Sequence, residues 1–189
     1  MAASLALDPH TSTVALRNYY YLRAGVAAAW VVAAFTAGVS NPVIGAVLLV
    51  LYPAWDALAN LIDARGAGGY RANRSQVVNA AVSTLAALAM LGSLAVGINA
   101  AIGVFGLWAV LAGLLQLITG VRRWRTYGAQ WAMILSGGQS VLAGGFFAFM
   151  ATGPALLSIA TVAGYAGFGA FYFLVSALWL TFRKPRNAA

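Results

Sequence analysis

Apolar residues run through this chain in stretches of about twenty, and polar residues gather mainly in the gaps between them. A helix needs about 20 apolar residues, at 1.5 Å each, to cross the hydrocarbon core of a bilayer. Six such stretches fit, over about 19–39, 43–63, 76–96, 100–120, 130–150 and 156–182. The pattern therefore predicts an all-α fold, a polytopic membrane helical bundle. Little is left over, which sets the expected division at 1–16 for an N-terminal tail, 17–183 for the membrane domain and 184–189 for a basic tail.

The gaps are of two kinds. SNP (40–42), GIN (97–99) and ATGP (151–154) are short, uncharged and built on helix breakers. IDARGAGGYRANRS, GVRRWRTYG and the tail FRKPRNAA are longer and basic. Each pair of spans thus reads as a helix, a tight turn, and a second helix closing on arginine, in LIDAR, ITGVR and WLTFR. The expectation is three hairpins repeated in parallel. Inverted repeats, which mark many secondary transporters, are not seen.

Composition sharpens this picture. The chain is 62% hydrophobic and 7% charged, against roughly a quarter charged in soluble domains. The net charge of +8 could speak for nucleic acid, but its placement speaks for topology. Arg17 and Arg23 open the first span. Arg65, Arg71 and Arg74 follow the second; Arg122, Arg123 and Arg125 follow the fourth; Arg183, Lys184 and Arg186 follow the sixth. Six spans put all 11 cations at one end, and short loops rich in Lys and Arg stay cytoplasmic. Both termini are expected in the cytoplasm, with anionic lipid headgroups as the partner of the basic end and no nucleic acid. Residues 1–16 hold no Lys or Arg and no long apolar core, so the first span is expected to act as an uncleaved targeting signal.

Polar residues inside the spans are the candidate chemistry. Tyr52, Asp56, Asn60 and Asp63 fall on one stripe of the second span. Asp63 lies near the interface. Asp56 lies nine residues before Arg65, about 13 Å along the axis, where an unpaired charge costs at least about 2.5 to 3.5 kcal/mol. A turn near residues 40 and 41 sets Arg23 level with Leu58, between Asp56 and Asn60. A turn near 69 and 70 sets Asn60 level with Asn79 and Asp56 level with Ser83. Gln116 and Gln139 lie at similar depth on later spans. Arg23, Asp56, Asn60, Asn79, Ser83, Gln116 and Gln139 are thus expected to form one polar cluster in the arginine-bearing half. Two readings of it stay open: a structural ion pair, or a titratable or ligand-binding pocket.

Pro53 is expected to kink the second span. Tyr19, Tyr20 and Tyr21, with Trp124, Tyr127 and Trp131, read as an interfacial aromatic belt. Gly137, Gly138, Gly144, Gly145, Gly164, Gly167 and Gly169 read as packing positions. The only histidine, His10, lies in the tail and there is no cysteine, so neither a metal site nor a cofactor is expected.

The closing motifs LIDAR, ITGVR and WLTFR, the stretch YPAWDALANLIDAR, and the segments RAGVAAAW, QWAMILSGGQSVLAGGFF and YAGFGAFYFLVSALWL resemble the HdeD-like family of small bacterial membrane proteins. The likeness covers about 17–183. It implies an inner-membrane location and, from some members, a link to acid resistance; it brings no catalytic residues to carry over. Three functional classes follow. The leading one is a non-catalytic membrane protein supporting envelope or acid-stress tolerance, through a membrane partner or a homo-oligomer. The others are a transporter or channel for a small solute or protons, and an intramembrane enzyme acting on a lipid-like substrate.

Overall fold

The structure, a computed structural model, describes residues 9–125 and 130–182. Six helices occupy them: α1 (Pro9–Ala33, continued by a π-helical turn over Ala34–Gly38), α2 (Pro42–Gly66), α3 (Arg74–Ser93), α4 (Ile98–Arg122), α5 (Gln130–Met150) and α6 (Ile159–Phe182). Each is long and apolar enough to cross a bilayer, and the chain is a multi-pass membrane protein. α1 begins ten residues before the expected span, so part of the N-terminal tail is helical. α3 and α6 are each three residues shorter at their turn ends than the apolar runs suggest.

The caps match the breakers. The Asn41 side chain accepts from the amides of Val43 and Ile44, and Pro42 fills the first helical position, where no amide partner is needed. Gly97 turns the chain from α3 into α4 at φ 145°, a conformation that favours glycine. Asn99 donates to the Ala155 carbonyl and accepts from the Leu157 amide, tying this turn to the connection between α5 and α6.

α1 through α6 follow one another around a closed ring, with α6 packed back against α1. The three sequence hairpins are present, yet the most extensive packing lies between hairpins, in the pairs α4/α5, α1/α6 and α2/α3. Small residues set this pattern. Gly106, Gly113 and Gly120 recur every seven residues on α4 and meet Gly137, Gly144 and Ile134 of α5. A Cβ on Gly144 would stand 2.5 Å from the Gly106 carbonyl oxygen, so the two backbones touch. The expected packing role thus holds at Gly137 and Gly144. At Gly138, Gly145, Gly164 and Gly167 a side chain would meet nothing within 4 Å, and at Gly169 only the Tyr52 hydroxyl, at 3.4 Å.

Large apolar side chains such as Leu85, Leu142 and Phe149 point outward, while Ala59, Ala101, Ala109 and Ala163 are fully buried. Lipid solvates Leu as well as the interior would, so close approach of small residues drives the packing. The tyrosine cluster departs from the expected belt. Tyr20 is 2% exposed and packs with Leu16, Ala177 and Leu180, and Tyr19 turns inward. Tyr21 stays at the surface and shares a hydrogen bond with Thr181. Trp124 is exposed and Trp131 lies edge-on to Trp179; Tyr127 lies outside the described residues, as do Arg183, Lys184 and Arg186.

Candidate functional site

Asp56 is 7% exposed, and side chains from two neighbouring helices, α1 and α3, reach it beside Asn60 of its own helix. Arg23 of α1 donates from Nη2 to Asp56 Oδ1 at 2.5 Å. Ser83 of α3 donates to Asp56 Oδ2 at 2.9 Å. Asn60, one turn along α2, donates to Oδ2 at 2.9 Å and to the Asp56 carbonyl at 2.8 Å. Trp108 of α4 extends the chain by donating its indole N–H to Ser83 Oγ at 2.9 Å. The register expected from the two turns is therefore realised: Arg23 and Ser83 both reach the Asp56 carboxylate.

Arg23 is itself enclosed. Its Nη1 donates to the Tyr19 hydroxyl at 3.1 Å, and its guanidinium lies 4.3 Å from the centre of the Phe173 ring. That cation–π contact covers the face of the charge with an aromatic surface. Pro53 is buried and α2 continues through it. It removes the amide that would bond the Leu49 carbonyl, and one residue earlier the Leu48 carbonyl accepts from the Trp30 indole at 2.8 Å.

Around this cluster lies a cavity with about 70 Å³ of room for water-sized molecules, lined from all six helices. Asn79, Gln116 and Gln139 line it without reaching Asp56. Asn60 and Asn79, expected at one depth, both face the space, but Asn79 Oδ1 has no hydrogen-bond partner, and neither does Arg23 Nε. Towards the turn end the cavity stops at interlocked rings. Tyr52 sits among Trp30, Phe105, Trp108 and Tyr165 at centroid distances of 4.8, 5.8, 5.8 and 6.4 Å. Leu49, Met90, Ile102 and Val162 lie fully buried beyond them. Hydroxyls in that half bond their own helices, as Thr36 does to Val32 and Ser93 to Met90.

Towards the arginine end stands a second buried pair, which the sequence reading passed over. Asp63 does not simply face water: Arg123 Nη1 donates to its Oδ2 at 2.9 Å, and Gln76 donates to the same oxygen at 3.2 Å. Arg123 also donates to Asn73 Oδ1 at 2.8 Å, while Asn73 Nδ2 donates to the Ala67 and Gly69 carbonyls after α2. Two basic connections, far apart in sequence, are thus stapled at one end of the bundle. The available signal was a lone interfacial carboxylate in a molecule with three acids in all, one of which had to find a cation at that end.

Among the described residues no group of three or more His, Cys, Asp or Glu side chains could hold a metal ion. No family model, no curated protein and no solved structure matches the chain.

Proposed function

We propose that the chain is a non-catalytic integral protein of the bacterial inner membrane, with both termini in the cytoplasm, whose buried polar cluster holds the helices in register. The observation that carries this reading is the saturation of Asp56. One carboxylate oxygen takes Arg23, and the other takes Asn60 and Ser83. A general base or nucleophile needs an oxygen turned to its substrate, and here both are committed to neighbouring helices. The ring layer around Tyr52 speaks against a continuous polar path from end to end. The gathering of all the cations in segments on one side of six spans supports the cytoplasmic assignment of that side. The likeness of YPAWDALANLIDAR and its companion motifs to the HdeD-like family supports a role in envelope or acid-stress tolerance, exerted through a membrane partner or a second copy. Anionic headgroups are the natural surroundings of the basic end.

The chain contains no cysteine, so single cysteines report topology cleanly. Ser40→Cys and Thr152→Cys should react with an impermeant maleimide on intact cells, and Tyr70→Cys only after permeabilisation. In proteoliposomes, proton and small-solute flux should equal that of empty vesicles. Labelling of Tyr70→Cys from outside would reverse the orientation, and flux above the empty control would replace this reading with a transporter.

A further inference from the structure

Among the described residues that line the cavity around Asp56, one lies at the surface of the bundle. Phe168 of α6 is 56% exposed, while the others are buried or half-buried. The helix period places it. Tyr165, Phe168, Tyr172 and Trp179 fall within about 60° on one stripe of α6. That stripe touches α5 at two levels. The Tyr165 hydroxyl donates to Ser140 Oγ at 3.0 Å, with Phe147 edge-on to its ring at 6.0 Å. Trp179 meets Trp131 edge-on at 6.0 Å. Between these levels, among the described residues, no hydrogen bond or ring contact ties Phe168 or Tyr172 to α5. The cavity wall therefore reaches the surface here, through a window between α5 and α6.

Depth decides what the window faces. Phe168 lies nine residues into α6 and Gln139 nine residues into α5, each about 13.5 Å from a helix end. A hydrocarbon core about 30 Å thick surrounds that level, so the window opens onto acyl chains. Behind it the wall turns polar. Ser136, Gln139 and Tyr172 line the cavity, and their side chains have no hydrogen-bond partner among the described residues. Unlike Asn79 Oδ1, they are not sealed off from it. Polar groups left unbonded at this depth are costly. The remaining wall mixes rings, hydroxyls and carboxamides with aliphatic side chains such as Ala112 and Met133, so it suits a polar head and the first carbons of a chain.

Size and charge narrow the head. One water needs about 10–15 Å³ of such room, so about 70 Å³ takes a head of a few heavy atoms. A phospholipid headgroup is too large. Asp56 is matched by Arg23 and Asp63 by Arg123, so a charged head would bring an unmatched charge into a low-dielectric space.

We propose that the cavity binds a single-chain amphiphile with a small uncharged head, of the long-chain alcohol type, taken directly from the bilayer through the window between α5 and α6. The head sits among Ser136, Gln139 and Tyr172, and the chain leaves past Phe168. This goes beyond the structural role proposed above and holds whichever end of the bundle is cytoplasmic.

A dodecanol analogue with a diazirine beside its alcohol end makes the test. It is photolysed with the full chain in lipid nanodiscs, and adducts are mapped by peptide mass spectrometry. Adducts should gather at Ser136, Gln139 and Tyr172, at least tenfold over Leu142 and Phe149, which are exposed on α5. Unlabelled dodecanol should compete, and dodecane and dodecyltrimethylammonium at least tenfold more weakly. Tyr172→Phe combined with Gln139→Leu, which keeps the bulk and removes the polar groups, should cut labelling at least fivefold. Adducts spread evenly over the lipid-facing surface would overturn the proposal. So would competition by dodecane or the ammonium as strong as that by dodecanol, or undiminished labelling of the folded double variant. The competition on the parent chain decides the matter even if that variant does not fold.

Discussion

The Arg23–Asp56 pair is the place where the energetics of this bundle can be read most directly. Both side chains are almost wholly buried, at 14% and 10% exposure. Replacing Arg23 by Met leaves the Asp56 carboxylate with Asn60 and Ser83 alone, deep in the bundle. Removing one partner of a buried pair costs about 3–5 kcal/mol, because the other charge is left uncompensated. Replacing Asp56 by Leu strands Arg23 against Phe173 and the Tyr19 hydroxyl, and takes away the acceptor that joins α1, α2 and α3. A loss of similar size follows. The double variant buries no charge at this site. Its remaining deficits are at Ser83 and Asn60, which keep Trp108 and a backbone carbonyl as partners, and at the Tyr19 hydroxyl, which loses Arg23, at about 1 kcal/mol for each bond lost. The double variant should therefore be destabilised by about 2–4 kcal/mol, well short of the sum of the singles, with a coupling energy of at least about 2 kcal/mol. Equilibrium unfolding in mixed micelles, on the parent and the three variants, measures each quantity. Additive losses would refute the pairing as an energetic unit. Asp56→Leu at or above parental stability would refute the structural role altogether, since the carboxylate would then be kept against the interest of the fold.

Two other predictions rest on separate contacts. Gly144→Ala places a methyl 2.5 Å from the Gly106 carbonyl oxygen and 2.8 Å from the Val110 amide nitrogen, so α4 and α5 must part, at about 1–3 kcal/mol. Gly145→Ala, with nothing within 4 Å, should be neutral or stabilising by up to about 1 kcal/mol; equal unfolding midpoints for the two variants would contradict the close approach. Arg123→Met should release the connection after α2, because it removes both the Asp63 pair and the bond to Asn73. Amide exchange over residues 67–73 should quicken by at least tenfold, and unchanged protection there would show that the staple is not what orders this segment.

Much of the architecture is legible in the chain because each feature answers to local chemistry. Apolar length set the six spans, the breakers at Pro42, Gly97 and Gly153 set the short turns, and the placement of cations separated the two ends. The level pairing of Asp56 with Ser83, and with Arg23 to within about one turn, also follows from the sequence. Antiparallel neighbours joined by a turn have their depths fixed by counting from it, with 1.5 Å for each residue on both sides.

Counting along the chain settles depth, but it does not settle direction around each helix axis or distance between axes. Those depend on which surfaces can approach, and that is a property of helix pairs. Gly106, Gly113 and Gly120 look unremarkable in a run that is apolar on every side; only the facing Gly137 and Gly144 turn them into a contact. Tyr20 reads as an interfacial ring until α6 closes over it with Ala177 and Leu180. Asp63 reads as a solvated acid until Arg123, 60 residues on, folds back to it. The unpartnered Asn79 Oδ1 is the clearest case. Whether a carboxamide in a membrane helix is satisfied depends on every side chain around it in three dimensions, and those belong to all six helices at once.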